Sequence, residues 1–306
     1  MLNDPMPGII PPLVTPLLGR DELDVAGLER LLRHVLAGSV HGLFILGTTG
    51  EAPDLSYRLR REVISRVCSF VGGRLPIFVG ITDTAFVESL NLAAHAGECG
   101  ATALVSAAPY YFPAGQPELR DFVERLVSEL PLPLFLYNMP QMTKVRFEID
   151  TVRCVSHLKG IAGVKDSSGD LEYFRQLTDL ARAERPDWEV FMGPEHLLVD
   201  AIRRGAHGGV NGGGQIDPQM LVGLYEAARD NDTARVEILQ ARLIALGEIY
   251  KIGHHASAVI KGIKCALSLM GICDDAMAEP MTRFLPPERA RVKAILDKLQ
   301  IRTVEQ

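Results

Sequence analysis

Residues 132–138, LPLFLYN, and residues 161–166, IAGVKD, are short unbroken apolar runs that end in polar side chains. Runs of this length fit strands, and the lack of polar alternation fits strands covered on both faces, as in a parallel sheet. Outward from them the same kind of run recurs at 8–16, 42–47, 76–81, 103–107, 189–193 and 208–210. Amphipathic stretches lie between, among them 24–36, 57–70, 84–98 and 118–130. In the first of these, Leu28, Leu31, Leu32 and Val35 follow the i, i+3, i+4, i+7 spacing of a one-sided helix. Eight strand–helix units in about 220 residues are the beat of a (β/α)8 TIM barrel, an α/β fold. A doubly wound sheet, the other architecture considered, usually has fewer units and often an early glycine-rich dinucleotide turn. Beyond residue 215 the strand signals stop. Residues 217–300 read as helices, broken near 271–274 and 284–287. The expected organisation is therefore a barrel over 1–216 that carries the active site, followed by a C-terminal helical domain over 217–306.

Composition narrows the function classes. Of 306 residues, 47% are hydrophobic and 23% charged, which is ordinary for a globular chain with a sizeable core. The net charge of −6 is spread along the chain with no basic stripe, so nucleic acid is not an expected partner. Cys68, Cys99, Cys154, Cys265 and Cys273 are scattered, with no C-x-x-C pair, and read as reduced thiols of a cytoplasmic protein. No basic region followed by an apolar run opens the chain, and no apolar stretch approaches the roughly 20 residues that span a bilayer.

In a barrel, reactive groups sit at the C-terminal ends of the strands. That rule selects Thr48, Thr49 and Glu51, Tyr110 and Tyr111, Tyr137 and Asn138, Lys165, and Glu195 with His196. Lys165 follows an apolar run, where desolvation favours the neutral amine that attacks a carbonyl. The structural alternative is a strand-end lysine paired with Asp166 or another carboxylate. Thr48 and Thr49, with the free N–H groups of a turn, form a small nest suited to a carboxylate, although Thr-Thr-Gly is also plain turn chemistry. Tyr137 is placed either to relay protons or to cap the core with its ring. Tyr110 and Tyr111 lie on a loop and mark an interface or lid. His254 and His255 are adjacent on an expected helix, diverge, and read as structural or surface residues rather than metal ligands. The run NGGGQ at 211–215 reads as a tight turn after strand eight rather than a phosphate cradle.

Together, GIIPPLVTPL, GTTGE, APYYF, LYNMP, GVKDSSGD and KCALSLMG resemble the dihydrodipicolinate synthase/N-acetylneuraminate lyase family of class I, Schiff-base-forming aldolases, over nearly the whole chain. The resemblance implies a (β/α)8 barrel with a helical C-terminal extension, assembled as a homotetramer of two tight dimers. It implies an imine between Lys165 and pyruvate, Thr48 and Thr49 on the keto-acid carboxylate, and Tyr137 as general acid/base. Thr48 and Tyr111 would extend the proton relay, with Tyr111 reaching in from a neighbouring subunit, and Val210 would supply a backbone carbonyl near the imine. No metal or organic cofactor is implied. The partners are a 2-keto acid and an aldehyde.

The sequence departs from the family pattern on the aldehyde side. Met142 stands where dihydrodipicolinate synthases carry an arginine that grips the aldehyde's carboxylate. The sialic acid lyase branch places an acidic pair where this chain has Glu195 and His196, and a hydroxyl residue where it has Gly212. The segment APDLSYRLR lacks the histidines of lysine-inhibited members. KDSSGD and APYYFP lean toward members acting on 2-keto-3-deoxy sugar acids, with Ser167 and Glu195 as candidate contacts to substrate hydroxyls. The expected activity is a pyruvate-dependent aldolase for such an acid or a related hydroxylated 2-keto acid. Dihydrodipicolinate synthase, a dehydratase using the same imine, and a non-catalytic keto-acid-binding barrel are the alternatives.

Overall fold

In the computed structural model, which describes residues 6–304, the apolar runs become eight parallel strands: β1 Gly8–Ile9, β2 Leu43–Ile45, β3 Ile77–Gly80, β4 Ala103–Ala107, β5 Leu134–Asn138, β6 Ile161–Asp166, β7 Glu189–Met192 and β8 Gly208–Gly209. The hydrogen-bonded order runs β1-β8-β7-β6-β5-β4-β3-β2. Its two ends meet where Pro12 bridges Phe44, with Leu13 N donating to Phe44 O at 2.8 Å and Phe44 N to Pro11 O at 3.0 Å. The sheet is thus rolled into the TIM-barrel arrangement.

Two expected strands come out shorter, for identifiable reasons. The run 8–16 keeps strand geometry only at Gly8–Ile9, because Pro11 and Pro12 have no N–H to give the ladder. Gln215 substitutes for the missing pairs: its side chain accepts from Val14 N and donates to Pro12 O, both at 2.9 Å. The run 42–47 stops at Ile45 because Leu46 adopts φ +57°, a left-handed conformation uncommon for an aliphatic residue. That turn throws residues 47–50 across the barrel mouth. Gly80 on the adjacent strand permits it, since a Cβ there would stand 2.1 Å from Leu46 O. A small antiparallel hairpin, Leu17–Gly19 with Glu22–Leu23, follows the first strand.

The helices that cover the barrel are α1 Val25–Ala37, α2 Tyr57–Val71, α3 Phe86–Glu98, α4 Gln116–Glu129, α5 Ile149–Ser156, α6 Leu171–Glu184, α7 Leu198–Arg203 and α8 Pro218–Arg229. Their starts follow local chemistry. Asp24, Ser56, Asp170 and Asp217 accept hydrogen bonds from the exposed N–H groups of the first turn. Helix α8 packs against β1 and α7. Three further helices follow: α9 Thr233–Gly247, α10 Ala258–Leu269 and α11 Pro286–Lys298.

Two hydrophobic cores result. One lies between strands and helices, and the other fills the lumen with Ile10, Phe44, Phe78, Phe135, Phe191 and Val210. The rings of Phe78 and Phe135 meet at 5.1 Å, with Phe191 at 5.9 Å from Phe135. Gly163 makes room for this stack, since a Cβ there would come within 2.6 Å of the Phe135 ring.

One polar interaction ties the far end of the chain to the barrel. Lys264 on α10 and Glu51, both buried, form an ion pair. Lys264 Nζ also donates to Ala276 O at 2.7 Å, and Glu51 accepts from Ala278 N at 2.7 Å. Burial pushes the Glu51 carboxyl up and the Lys264 ammonium down, while their mutual attraction opposes both shifts.

Two outcomes follow for stability. Lys264→Met leaves a buried, unpaired carboxylate and lowers the thermal unfolding midpoint, at a cost of about 3–5 kcal/mol, and the double variant E51Q/K264M recovers most of that loss. Glu189, at the lumen floor, accepts from Met6 N, and burial raises its carboxyl to about 7. The folded state therefore holds a proton between the unfolded value and about 7 that the unfolded chain releases, so stability falls as pH rises through that window. Glu189→Gln raises the midpoint at pH 8 and changes it little at pH 5, as read by thermal melts at the two pH values.

Candidate active site

Lys165 is the penultimate residue of β6. In its register it pairs with Tyr137 on β5 and Phe191 on β7, residues that point into the lumen. Alternation along the strand sends Asp166 to the other face. There its carboxylate accepts from Asn138 Nδ2 at 2.7 Å and from Ser168 Oγ at 2.9 Å. The pairing of Lys165 with Asp166 is therefore ruled out, and among the described residues no carboxylate lies within ion-pair distance of Lys165. Its ammonium sits over two aromatic faces instead, 4.1 Å from the Tyr137 ring centroid and 4.9 Å from that of Phe44. The residue is 6% exposed. Burial pulls its pKa below the ordinary lysine value, opposed only by Tyr137.

The turn after β2 brings Thr48 beside this lysine's neighbour. Thr48 Oγ1 lies 3.3 Å from the Tyr137 hydroxyl. Within the turn, Gly50 N bonds Gly47 O and Glu51 N bonds Thr48 O. The N–H groups of Thr48 and Thr49 have no such partner among the described residues, so both remain available to an anion. Val210, just past β8, is buried in the lumen cluster, with its N–H donating to Met192 O at 2.9 Å.

Other sequence candidates fall elsewhere. Ser167 N donates to Asn138 O at 2.8 Å, and its hydroxyl lies over Gly193, 2.0 Å from where a Cβ on that glycine would stand. The Glu195 carboxylate is directed at the turn Gly212–Gln215, where Oε2 accepts from Gly213 N at 2.6 Å beside Tyr250. His196 is exposed and meets Gln240 through its backbone carbonyl. Tyr111 is 75% exposed and packs edge-on against Phe112 at 5.0 Å, away from Tyr137 of its own chain. His254 and His255 are exposed in a turn before α10, not in a helix as expected, because the chain must bend there to bring α10 over the barrel.

A cavity of about 310 Å³ opens from Tyr137 and Thr48 toward the C-terminal segment, with Met142, Ile260 and Met281 on its walls. Lys165 lies behind the Tyr137 and Phe44 rings that line it. The sequence does not reveal the walls from α10, since nothing local marks Ile260 or Ser257 as facing the site. It also hides the buried pair Arg60–Asp83, at 2.7 Å, in which Arg60 also holds Leu55 O at 3.1 Å and so fixes the loop at the cavity edge.

A barrel that keeps an unpaired lysine in its lumen, beside a phenol and a threonine turn, belongs with the aldolase class of lyases. The chain belongs to the dihydrodipicolinate synthetase family, whose model matches residues 5–299. It is 27% identical over 295 residues to the Escherichia coli K12 protein named "Probable 2-dehydro-3-deoxy-D-pentonate aldolase YjhH", covering 96% of this chain and 95% of that one. Among solved structures, dihydrodipicolinate synthase from Bacteroides thetaiotaomicron superposes with TM-score 0.93 at 49% identity, over 97% of this chain and 99% of the other. YagE of Escherichia coli K12, solved in complex with pyruvate, superposes with TM-score 0.91 at 26% identity, over 98% and 100%.

The cost of the unpaired lysine can be measured directly. The unfolded chain binds a proton at Lys165 that the folded state disfavours, so stability from this group rises as pH climbs toward the ordinary lysine value of about 10.4. Lys165→Met raises the thermal midpoint at pH 7, and the gain shrinks in melts run at progressively higher pH.

Proposed function

We propose that this protein is a pyruvate-dependent class I aldolase that cleaves or makes a 2-keto-3-deoxy sugar acid or a related hydroxylated 2-keto acid. The observation that carries the proposal is Lys165, buried without a carboxylate partner among the described residues, its Nζ 4.1 Å from the Tyr137 ring centroid. Its depressed pKa supplies neutral amine, which attacks the keto carbon of pyruvate and expels water to form the imine. The free N–H groups of Thr48 and Thr49 hold the keto-acid carboxylate. Tyr137, with Thr48 Oγ1 at 3.3 Å, passes protons to and from the departing oxygen. The protonated imine is an electron sink. Loss of a proton from the pyruvate methyl gives an enamine, whose carbon adds to the aldehyde carbonyl, and the reverse step cleaves the same bond. Water then hydrolyses the imine and frees Lys165. The chemistry calls for no metal or organic cofactor.

Several finer assignments belong to the same proposal. Tyr111, exposed on its own chain, completes the relay of a neighbouring subunit in a homotetramer. Val210 offers its carbonyl near the imine, and Ser167 and Glu195 are assigned to the aldehyde's hydroxyls. The protein acts in the cytoplasm, which its free cysteines suit. Support for a hydroxylated keto acid comes from the relative named for a 2-dehydro-3-deoxy-pentonate. The B. thetaiotaomicron structure carries the synthase name, so aspartate semialdehyde is the second substrate to assay.

Borohydride reduction in the presence of pyruvate gives a covalent adduct that peptide mass spectrometry places on Lys165. No adduct, or an adduct on another lysine, overturns the proposal and favours a binding barrel without catalysis. Tyr137→Phe retains the adduct and lowers kcat by about 10²–10⁴, the range for loss of a general acid/base.

A further inference from the structure

Lys165 and Tyr137 lie downstream of an irregularity in their own ladder. Leu134 on β5 pairs with Ile161 on β6, but Phe135 pairs with Gly163, so Ala162 is an extra residue on β6. Pairing before such a bulge does not dictate pairing after it, and a slip of one residue would turn Lys165 out of the lumen. After the bulge, Tyr137 is set against Lys165 and Asn138 against Asp166. On the inner face Lys165 has no carboxylate partner, among the described residues, to hold it at the phenol.

The outer face carries what the inner face lacks. Asn138 and Asp166 are both fully buried. Phe147 N donates to Asn138 Oδ1 at 3.1 Å. A backbone N–H only donates, so the amide is turned with Nδ2 toward Asp166, where it donates to Oδ1 at 2.7 Å. Ser168 supplies the other donors, its N–H to Oδ1 at 3.2 Å and its hydroxyl to Oδ2 at 2.9 Å. Phe147 is held in turn by the Tyr173 hydroxyl of α6, which donates to Phe147 O at 2.5 Å. A buried carboxylate with three donors keeps one position, because any other leaves it desolvated and without partners. The imine chemistry uses neither residue directly, since alternation points both side chains away from Tyr137 and Lys165.

Resting on the Lys165 aldolase reading, we propose that Asn138 and Asp166 are positioning residues for imine formation. Their hydrogen bond on the outer face of the sheet locks β5 and β6 in the register that sets Tyr137 against Lys165 on the inner face. The phenol must meet the oxygen that leaves the keto carbon as Lys165 Nζ bonds to it, and a misplacement of about 1 Å costs up to about 10²-fold in rate.

The test follows the adduct on Lys165 by borohydride quenching at successive times and pyruvate concentrations, which gives a limiting rate and a half-saturating concentration. Asn138→Leu removes both hydrogen bonds of the amide. Asn138→Ser keeps an acceptor for Phe147 N but is too short to reach Asp166. Each lowers the limiting rate at least about tenfold and leaves half-saturation within about threefold, because the Thr48–Thr49 turn is untouched. In the reciprocal variant N138D/D166N, the carboxylate at position 138 accepts from Phe147 N and from the amide at position 166, whose oxygen accepts from Ser168. That variant returns the rate to within about threefold of the parent chain. Should N138L not fold, N138S carries the same reading. A folded single variant that forms the adduct at the parent rate, or a folded reciprocal variant as slow as the single ones, overturns this inference alone. Absence of the adduct in the parent chain overturns the Lys165 reading and the inference with it.

Discussion

The buried ion pair between Glu51 and Lys264 joins residues 213 positions apart, and the site depends on it. Glu51 ends the Thr48–Thr49 turn, in a left-handed conformation of its own at φ +58°. Lys264 belongs to the helix whose Ile260 walls the cavity. Two charges taken out of water stabilise only when good geometry and further hydrogen bonds offset their desolvation, and here Ala276 O accepts from the ammonium while Ala278 N donates to the carboxylate. The pair thus fixes the Thr48–Thr49 turn and the Ile260 wall of the cavity relative to each other. A barrel and a C-terminal helical segment are thereby held as one cavity-forming unit.

Against that ion pair stands Lys165, which has no carboxylate partner among the described residues. The two lysines are both buried, yet their surroundings assign them opposite tasks. Lys264 is occupied by carboxylate and carbonyl, whereas Lys165 faces rings and a phenol, where the neutral amine is favoured. The lumen aromatics that fill the barrel also exclude water from the amine. The contacts that pack the lumen are consequently the same contacts that desolvate this amine, at a cost in stability.

Strain and proline chemistry shape the mouth in the same sense. Leu46 turns left-handed where a straight strand would have carried Thr48 away from Tyr137, and Gly80 yields the space that this turn needs. Pro11 and Pro12 thin the first strand, and Gln215 from the turn after β8 reaches across to restore its missing hydrogen bonds. Backbone irregularity therefore collects at the end of the barrel where ligands enter.

The amino-acid sequence by itself determined the eight strand–helix units and the strand-end positions of Lys165, Tyr137 and Thr48. These follow from short-range patterning: apolar run length, helical spacing and the first polar residue after a strand. Only the tertiary structure decided that Lys165 has no carboxylate partner among the described residues, that Asp166 faces outward to Asn138, and that Glu195 points at the Gly213 turn. It alone brought Ile260 and Met281 to Met142 and paired Glu51 with Lys264. Those are contacts between residues far apart in the chain, and no local pattern encodes which distant side chain will share a buried space. The lysine that ends an apolar strand was legible from neighbours in sequence. What desolvates it and lowers its pKa is the company that folding supplies.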